Sequence, residues 1–299
     1  MKGKESLQKK IDFVVIVSVT NANPNGDPLN GNRPRENFDG FGEISDVCIK
    51  RKLRNRLQDM GERIFVQSAD RCDDGFDCLK ARAKGNKDLE KVAKGKATDS
   101  NEFARIACES WIDVRSFGQV FAFDNKKDDD KKGNGVSVGV RGPVSIHPAF
   151  SVSPVDIVST QITKSVNGTQ SASQGKGKDT MGMKHRVTFG LYVIRGSINC
   201  QLAEKTGFTY EDAGKIREAL CTLFENDTSS ARPEGSMEVC RVYWWEHDSK
   251  TPRYSTAQIH RLVNIKLKDS ARTPRSVDDY DIEIVEEKLE GVSLSVYPS

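Results

Sequence analysis

The chain has 299 residues, of which 30% are charged and 36% hydrophobic, and its formal net charge is +3. This length allows one large domain or two small ones, each with an adequate core. The small basic excess does not by itself indicate nucleic-acid binding, so the clustering of basic residues is what matters. No stretch has the apolar length that spans a bilayer, and the residues after Met1 lack a signal-peptide pattern. We therefore expect a cytoplasmic protein without a membrane partner.

Seven cysteines are scattered along the chain, and none of them forms a C-x-x-C pair. Cys72 and Cys78 stand apart from any pair of histidines, so their spacing does not predict a zinc site. The acidic segment at residues 124–135 lacks the residue order of a calcium loop. We expect free thiols, no bound metal and no cofactor.

The first predicted elements are a strand, a long loop and a helix. Residues 13–19 are apolar on both faces, which is typical of a central strand covered by a helix on one side. An Asn/Gly/Pro-rich loop follows at residues 20–35, and Ser45 is the expected N-cap of the next helix. The apolar face of that helix repeats at helical spacing and is formed by Ile49, Leu53, Leu57 and Met60. Gly61 is expected to end it.

The first half of this helix is strongly basic, with Lys50, Arg51, Lys52 and Arg54 in close succession. A helix N-terminus normally favours acidic residues, because the helix dipole already places partial positive charge there. Basic residues at this position are explained by a bound polyanion. A solvated helix face after a surface loop explains them as well, and the pattern alone leaves both interpretations open.

The rest of the chain alternates predicted strands and helices. Residues 66–100 form a polar, partly helical insertion, a second helix follows at residues 102–111, and residues 114–123 are predicted as a strand. Further strands are expected at residues 136–140, 156–166, 187–194, 238–246, 281–285 and 292–296, with a helix from Thr209 onwards. This order predicts an α+β fold in which an RRM-like (ferredoxin-like) βαββαβ core carries large insertions within one domain, residues 1–299.

Two segments admit more than one interpretation. The polar, glycine-rich stretch between the strands around residues 160 and 187 is either a disordered surface loop or the tip of an extended β-hairpin arm. Phe117, Phe121 and Phe123 are candidates for base stacking on an RRM-type sheet, but they do not match the RNP consensus. Alternating aromatic residues in a strand are mostly core, and we predict a core role for these three.

Three motifs carry a resemblance to a known family. The first is Asn21-Ala22-Asn23-Pro24-Asn25-Gly26-Asp27-Pro28 with Ser45-Asp46-Val47-Cys48-Ile49-Lys50-Arg51 downstream. The others are residues 113–118 and residues 140–148. Together they resemble the backbone subunit of a CRISPR surveillance complex (Cascade) of type I-C, within the RNA-binding RAMP superfamily built on an RRM-like fold. Members insert a thumb-like hairpin where residues 160–187 stand here, which favours the arm over the disordered loop.

The resemblance implies a non-catalytic subunit that binds crRNA, polymerises along it and presents its bases for pairing with target DNA in antiviral defence. The implied partners are crRNA, the target DNA strand, other copies of this chain in a helical filament, and the other Cascade subunits. Those subunits are the crRNA 5′-end processing or capping subunit and the large and small subunits. Base pairing would then carry sequence specificity, while the protein reads the backbone.

The resemblance also implies which residues contact RNA. Phosphates would be contacted by Lys50, Arg51, Arg54, Arg33 and Arg35, and hydrogen bonds would come from Asn21, Asn23 and Ser45. Arg141 is a weaker candidate. In the arm, positive charge would come from Lys164, Lys184 and His185, with Met181 or Met183 as an apolar wedge between bases. A methionine there is equally explained as a gap-filler.

Two alternative functions remain at this stage. RNA-targeting relatives cut RNA with a loop aspartate and a metal ion, and Asp27 and Asp39 lie in the comparable loop here. Aspartate beside proline or glycine is also common in turns, which explains both residues without catalysis. The second alternative is a stand-alone binder of single-stranded nucleic acid, which would not form oligomers of defined length on guide RNA.

Overall fold

The structure, a computed structural model, describes residues 5–93, 99–123, 136–163, 181–271, 273–285 and 289–298. The helices in these ranges are α1 (Asp46–Asp59), α2 (Leu79–Gly85), α3 (Lys87–Ala93), α4 (Ser100–Ser110), α5 (Ile112–Phe117), α6 (Cys200–Thr206), α7 (Tyr210–Cys221) and α8 (Thr256–His260). The strands are β1 (Ile11–Ala22), β2 (Gly26–Asp27), β3 (Arg33–Pro34), β4 (Phe41–Ile44), β5 (Gly118–Phe123), β6 (Val136–Arg141), β7 (Val144–Ile146), β8 (Ala149–Pro154), β9 (Ile157–Thr163), β10 (Met181–Ile198), β11 (Met237–His247), β12 (Val263–Leu267), β13 (Tyr280–Ile284) and β14 (Val292–Pro298).

A central antiparallel sheet organises this mixed α/β fold. Its strand order is β14-β11-β1-β10-β8-β4, and β7 and β9 also pair with β10. The first predicted strand lies at its centre, because β1 pairs with β10 on one side and β11 on the other. Its β-branched, doubly apolar sequence suits this position, since both faces of a central strand are covered.

One face of the sheet is covered by helices. Phe13, Val15 and Val17 of β1 lie in one apolar cluster with Leu53 of α1 and Ile216 of α7. The helical spacing of the apolar residues predicted α1, and the structure confirms its buried face. The helix after Thr209 is also confirmed as α7, and Thr209 caps it. Packing against β1 and α7 fixes the position of α1 and thereby the loop that joins β1 to α1.

The opposite face of the sheet is closed by the C-terminal third of the chain. Val14 and Ile16 of β1 lie in a second cluster with Ile259 of α8, Val263 of β12 and Tyr280 of β13. Two aromatic residues of β11 on this face, Tyr243 and Trp245, are 1% and 2% exposed. An ordinary RRM stacks bases on exposed sheet aromatics. Tyr243 and Trp245 cannot stack bases in this way, because both belong to the core.

A separate apolar cluster lies between residues 65 and 138. It contains Phe65, Phe103 and Phe121 together with Leu89 of the predicted insertion at residues 66–100. The insertion carries α2 and α3, and residues 94–98 lie outside the described ranges. Phe121 is fully buried, as predicted for a core residue, while Phe117 and Phe123 are partly buried.

The strand predicted at residues 114–123 is wrong in its first half. Residues 112–117 form α5, and only Gly118–Phe123 is a strand. Gly118 has φ +80°, a left-handed conformation that ends the helix at no steric cost for glycine. Val114 and Phe117 are three residues apart, which fits a helix, while Phe117 also alternates with Phe121 and Phe123, which is why alternation was misleading.

Candidate nucleic-acid interface

Strand β10 continues beyond the central sheet and forms one side of a two-stranded ribbon. It pairs with β1 from Ile198 to Val187, and with β9 from Val187 to Met181. This ribbon is the base of the predicted arm at residues 160–187. The tip of that arm, including Lys164, lies outside the described residues.

The two faces of the ribbon differ in chemistry. Met181 and Met183 lie on one face with His185, and the two methionines are 63% and 54% exposed. Ile162 and Lys184 lie on the other face, with Ile162 48% exposed. Large apolar side chains exposed on a narrow ribbon have no core to fill. In the isolated chain, Met181 and Met183 therefore do not fill a gap in the core.

The loop after β1 is compact and internally braced. Asn21 is exposed and has φ +52°, a left-handed conformation that asparagine tolerates. Asn23 is only 4% exposed, and its Nδ2 donates to the carbonyl of Asn32 over 2.7 Å. Its Oδ1 is buried without a hydrogen-bond partner among the described residues. Asn23 thus holds the loop's shape, and its role as an RNA ligand stays a prediction.

Asn25 joins this loop to the start of α1. Its Oδ1 accepts hydrogen bonds from the backbone nitrogen of Ser45 at 2.9 Å and from Ser45 Oγ at 2.8 Å. Ser45 Oγ in turn accepts from the nitrogen of Cys48, which confirms Ser45 as the N-cap. The role of Asn25 could not be predicted from local sequence, because its partner lies twenty residues downstream.

Arg33 connects the loop to the base of the arm. Its Nη1 donates to Ser159 Oγ at 3.1 Å, and Ser159 Oγ lies 2.8 Å from Nδ1 of His185. Arg35 lies on the same loop and pairs with Asp27 at 3.4 Å. The two arginine side chains are 32% and 36% exposed. We call the loop at residues 23–45, the first half of α1 and the arm base together the loop–arm surface.

The basic residues of α1 have different environments. Lys50 forms a surface ion pair with Asp46 one turn earlier, at 3.0 Å. Arg51 donates to the carbonyl of Val66 at 2.6 Å, and burial lowers its pKa. Lys52 is 4% exposed and pairs with Asp227, and burial lowers its pKa as well. The helix is therefore only partly a solvated basic face.

Arg54 is part of a buried charge network. Its Nε donates to Asp113 at 3.0 Å, and its guanidinium lies 5.1 Å from the centre of the Phe117 ring. Asp113 has no exposed surface and also accepts from the backbone nitrogens of Phe65 and Val66. Arg54 thus anchors α1 to α5 and to the chain after α1. Whether Arg51 and Arg54 also contact phosphate stays a prediction.

Arg141 lies opposite Gly118 in the β5–β6 pairing, beside Phe117, on whose ring Arg54 lies. It ends β6 and lines a depression with Gln201 and Lys205 of α6. Hydrogen bonds join the loop to the arm base and to the N-cap of α1.

The side chain of Asp27 has a structural role, whereas Asp39 takes part in a turn through its backbone. Asp27 Oδ1 accepts from the nitrogen of Leu29, which caps the short 3₁₀ turn that follows, and from Arg35. Asp39 lies in a turn in which Asn37 Oδ1 accepts from its backbone nitrogen. Within the described ranges, no three His, Cys, Asp or Glu side chains are grouped to hold a metal ion. Nor does any described helix have the length and apolarity to cross a membrane.

We predict that Arg54→Ala and Lys50→Ala differ sharply in stability, although both residues are RNA-contact candidates. Arg54→Ala should lower the free energy of unfolding by about 3 kcal/mol, because it leaves the buried Asp113 without its cationic partner. Lys50→Ala should change it by less than about 0.5 kcal/mol, since a surface pair contributes little. Urea denaturation without RNA measures both, and equal effects would contradict the buried network.

The model of the CRISPR-associated protein Cas7 family matches residues 9–285. A CRISPR-associated protein Cas7 of Haloferax volcanii is 26% identical in an alignment of 293 positions that covers 94% of this chain and 83% of that protein. Two solved chains titled "CRISPR RNA-guided surveillance complex", one of them pre-nicking, are 16% and 14% identical. Their TM-scores are 0.48 and 0.43. The superpositions cover 84% and 82% of this chain, and 81% and 72% of the solved chains. Because the family match spans nearly the whole sequence, this chain belongs to the CRISPR-associated Cas7 family.

Proposed function

We propose that this chain is the non-catalytic crRNA-binding backbone subunit of a type I-C CRISPR Cascade interference complex. The observation that carries the proposal is the Arg33–Ser159–His185 contact, which joins the basic loop to the arm on one surface. Membership of the Cas7 family and the related proteins titled as RNA-guided surveillance complexes support it. Its partners are crRNA, the paired target DNA strand, further copies of itself and the other Cascade subunits.

The loop–arm surface binds the RNA backbone. Lys50, Arg33 and Arg35 are partly exposed cations, and Lys50 lies near the N-terminus of α1, where the helix dipole adds positive potential. Each of the three already pairs with a carboxylate, so phosphate replaces or joins a partner that is close at hand. Such contacts carry no sequence information, as a guide-binding scaffold requires.

The arm contributes an apolar edge. Met181 and Met183 on one face insert between bases, while Lys184 on the opposite face meets a phosphate or a neighbouring copy. A flexible thioether fits against many bases, because every base offers an apolar ring face. Repeated along a guide, one arm per copy gives a helical, head-to-tail assembly.

The sheet is the RRM-like core of this proposal. The order β11-β1-β10-β8 with α1 after β1 and α7 before β11 supports a βαββαβ arrangement. Its covered outer face explains why RNA contacts lie at the end of the sheet rather than on it. A metal-dependent nuclease using Asp27 or Asp39 is the competing function, and the next experiment separates the two.

The direct test is co-expression of the chain with its partner subunits and a CRISPR repeat-spacer RNA, followed by mass measurement. We expect a large RNA-containing particle with several copies of this chain. Incubated with matched single-stranded RNA and magnesium, the particle should leave the RNA intact. Regularly spaced cuts that disappear in Asp27→Ala or Asp39→Ala would assign the chain to the nuclease branch.

Lys50→Gln should weaken guide-RNA binding and make it less sensitive to salt. One lost phosphate contact lowers the slope of log affinity against log salt by about 0.7 for a single strand. The matched control is Lys91→Gln, which removes another helix lysine that pairs with an aspartate but lies outside the loop–arm surface. Fluorescence anisotropy over a salt series measures both. Equal slopes for the two variants would remove Lys50 from the interface.

Met183→Ala should reduce base unstacking in the bound guide without abolishing binding. A guide carrying 2-aminopurine reports this, because the fluorescence of that base rises when it is unstacked. Ile162→Ala is the matched control, since Ile162 is similarly exposed on the opposite face of the ribbon. Equal loss of fluorescence in the two variants, or no loss in either, would contradict the insertion of Met183 between bases.

A further inference from the structure

An open cleft lies at the opposite end of β10 from the arm. Its volume is about 790 Å³, and its lining includes His147, Arg195, His260, Arg261 and Asn264. Arg195 and Ser197 belong to β10, while Thr256 and His260 belong to α8. The cleft thus forms where α8, on the C-terminal part of the chain that covers the sheet, meets strand β10. None of the contacts that define the loop–arm surface involves it.

The cleft carries positive charge without a balancing partner. Arg195 is half-buried, and its side chain forms no hydrogen bond or ion pair with any described residue. Burial lowers the pKa of Arg195, as expected for a cation that has lost water without gaining an anion. Arg261 at the rim is exposed and likewise forms no side-chain ion pair within the described ranges. No Asp or Glu is among the described residues of the lining.

The acidic residue that the strand pairing places opposite the cleft lining is Asp12, and its charge is already neutralised. Asp12 lies opposite Ser197 in the β1–β10 pairing. Burial alone would raise the pKa of Asp12, but hydrogen bonds from His247 and Lys10 lower it below its usual value. Its negative charge is therefore matched by these partners. Arg195 remains uncompensated, and an unpaired half-buried cation is costly.

Two histidines give the cleft an aromatic wall. His260 Nε2 donates to the carbonyl of Gly196 at 3.0 Å, and burial lowers the pKa of His260. The ring of His147 packs edge-on against it, with 5.8 Å between ring centres. His147 is itself exposed, so one side of its ring is open. Imidazole rings and guanidinium planes are surfaces on which unpaired bases stack.

From this arrangement we propose that the cleft is a second nucleic-acid site, which binds a phosphate of a single strand at Arg195 and Arg261 and stacks the adjoining base on His147. Ser197 and Asn264 supply a hydroxyl and an amide, the side-chain types that hold phosphate and sugar. An acidic peptide would use the two arginines but would leave the open imidazole ring and the amide unused. The site is independent of guide binding at the loop–arm surface.

Photocrosslinking tests the proposal at residue resolution. The full chain is irradiated with a short single strand carrying 5-iodouracil, as DNA and as RNA of the same sequence, and the crosslinked peptides are mapped. We expect a crosslink at His147 that is lost in the Arg195→Gln/Arg261→Gln variant. The charge-matched control, Lys91→Gln/Arg275→Gln, removes two exposed cations outside the cleft and should retain it. The cleft variant should unfold at or above the wild-type temperature, because it removes an unpaired cation.

Each outcome decides the proposal. A crosslink that forms with both DNA and RNA and is lost for both in the cleft variant supports a phosphate contact. A crosslink that forms with RNA alone and is lost in the variant assigns a ribose hydroxyl to the site. No crosslink at His147 with either strand, or one that persists in the cleft variant, overturns the proposal. So does binding of polyglutamate that depends on Arg195 and Arg261, since the ligand would then be an acidic protein segment. Normal particle formation by the cleft variant on guide RNA keeps the proposed function standing in every case.

Discussion

The pairing of β10 with four partners is the constraint on which the rest of the structure depends. One continuous strand, Met181–Ile198, pairs with β1 and β8 in the sheet, with β9 in the arm and with β7 near the cleft. The arm base is therefore a direct extension of the core and not a separate flexible element. Because the apolar clusters on both faces of the sheet hold β10 in register, they also set the direction in which the arm leaves the domain.

Charge on α1 divides between the interior and the surface. Lys52 and Arg54 pair with Asp227 and Asp113, and both pairs are largely buried. Lys50 remains at the surface, and Arg51 lies between these extremes. Arginine suits the Asp113 site because its Nε donates to the carboxylate while its planar guanidinium lies over the Phe117 ring. A basic stretch in a sequence therefore overstates the charge available to a polyanion.

Much of the fold was predictable because its signals are local. The doubly apolar run of β1, the helical spacing of α1 and α7, and the Ser45 cap each act within a few residues. The loop candidates Arg33 and Ser45 were found from a motif, and the structure links them to Ser159 and Asn25. Those partners could not be predicted, because 126 and 20 residues separate them and no local pattern marks either one. The helix α5 was missed because Phe117 fits both the helical spacing from Val114 and the alternation of the strand that follows.

The most direct test of the backbone account is the mass of particles assembled on guide RNAs of increasing length. Native mass spectrometry counts the copies of this chain in each particle. The account predicts that one copy is added for every fixed increment of guide length, because each copy grips one stretch of backbone and meets the next copy. A copy number that stays constant as the guide lengthens would contradict it.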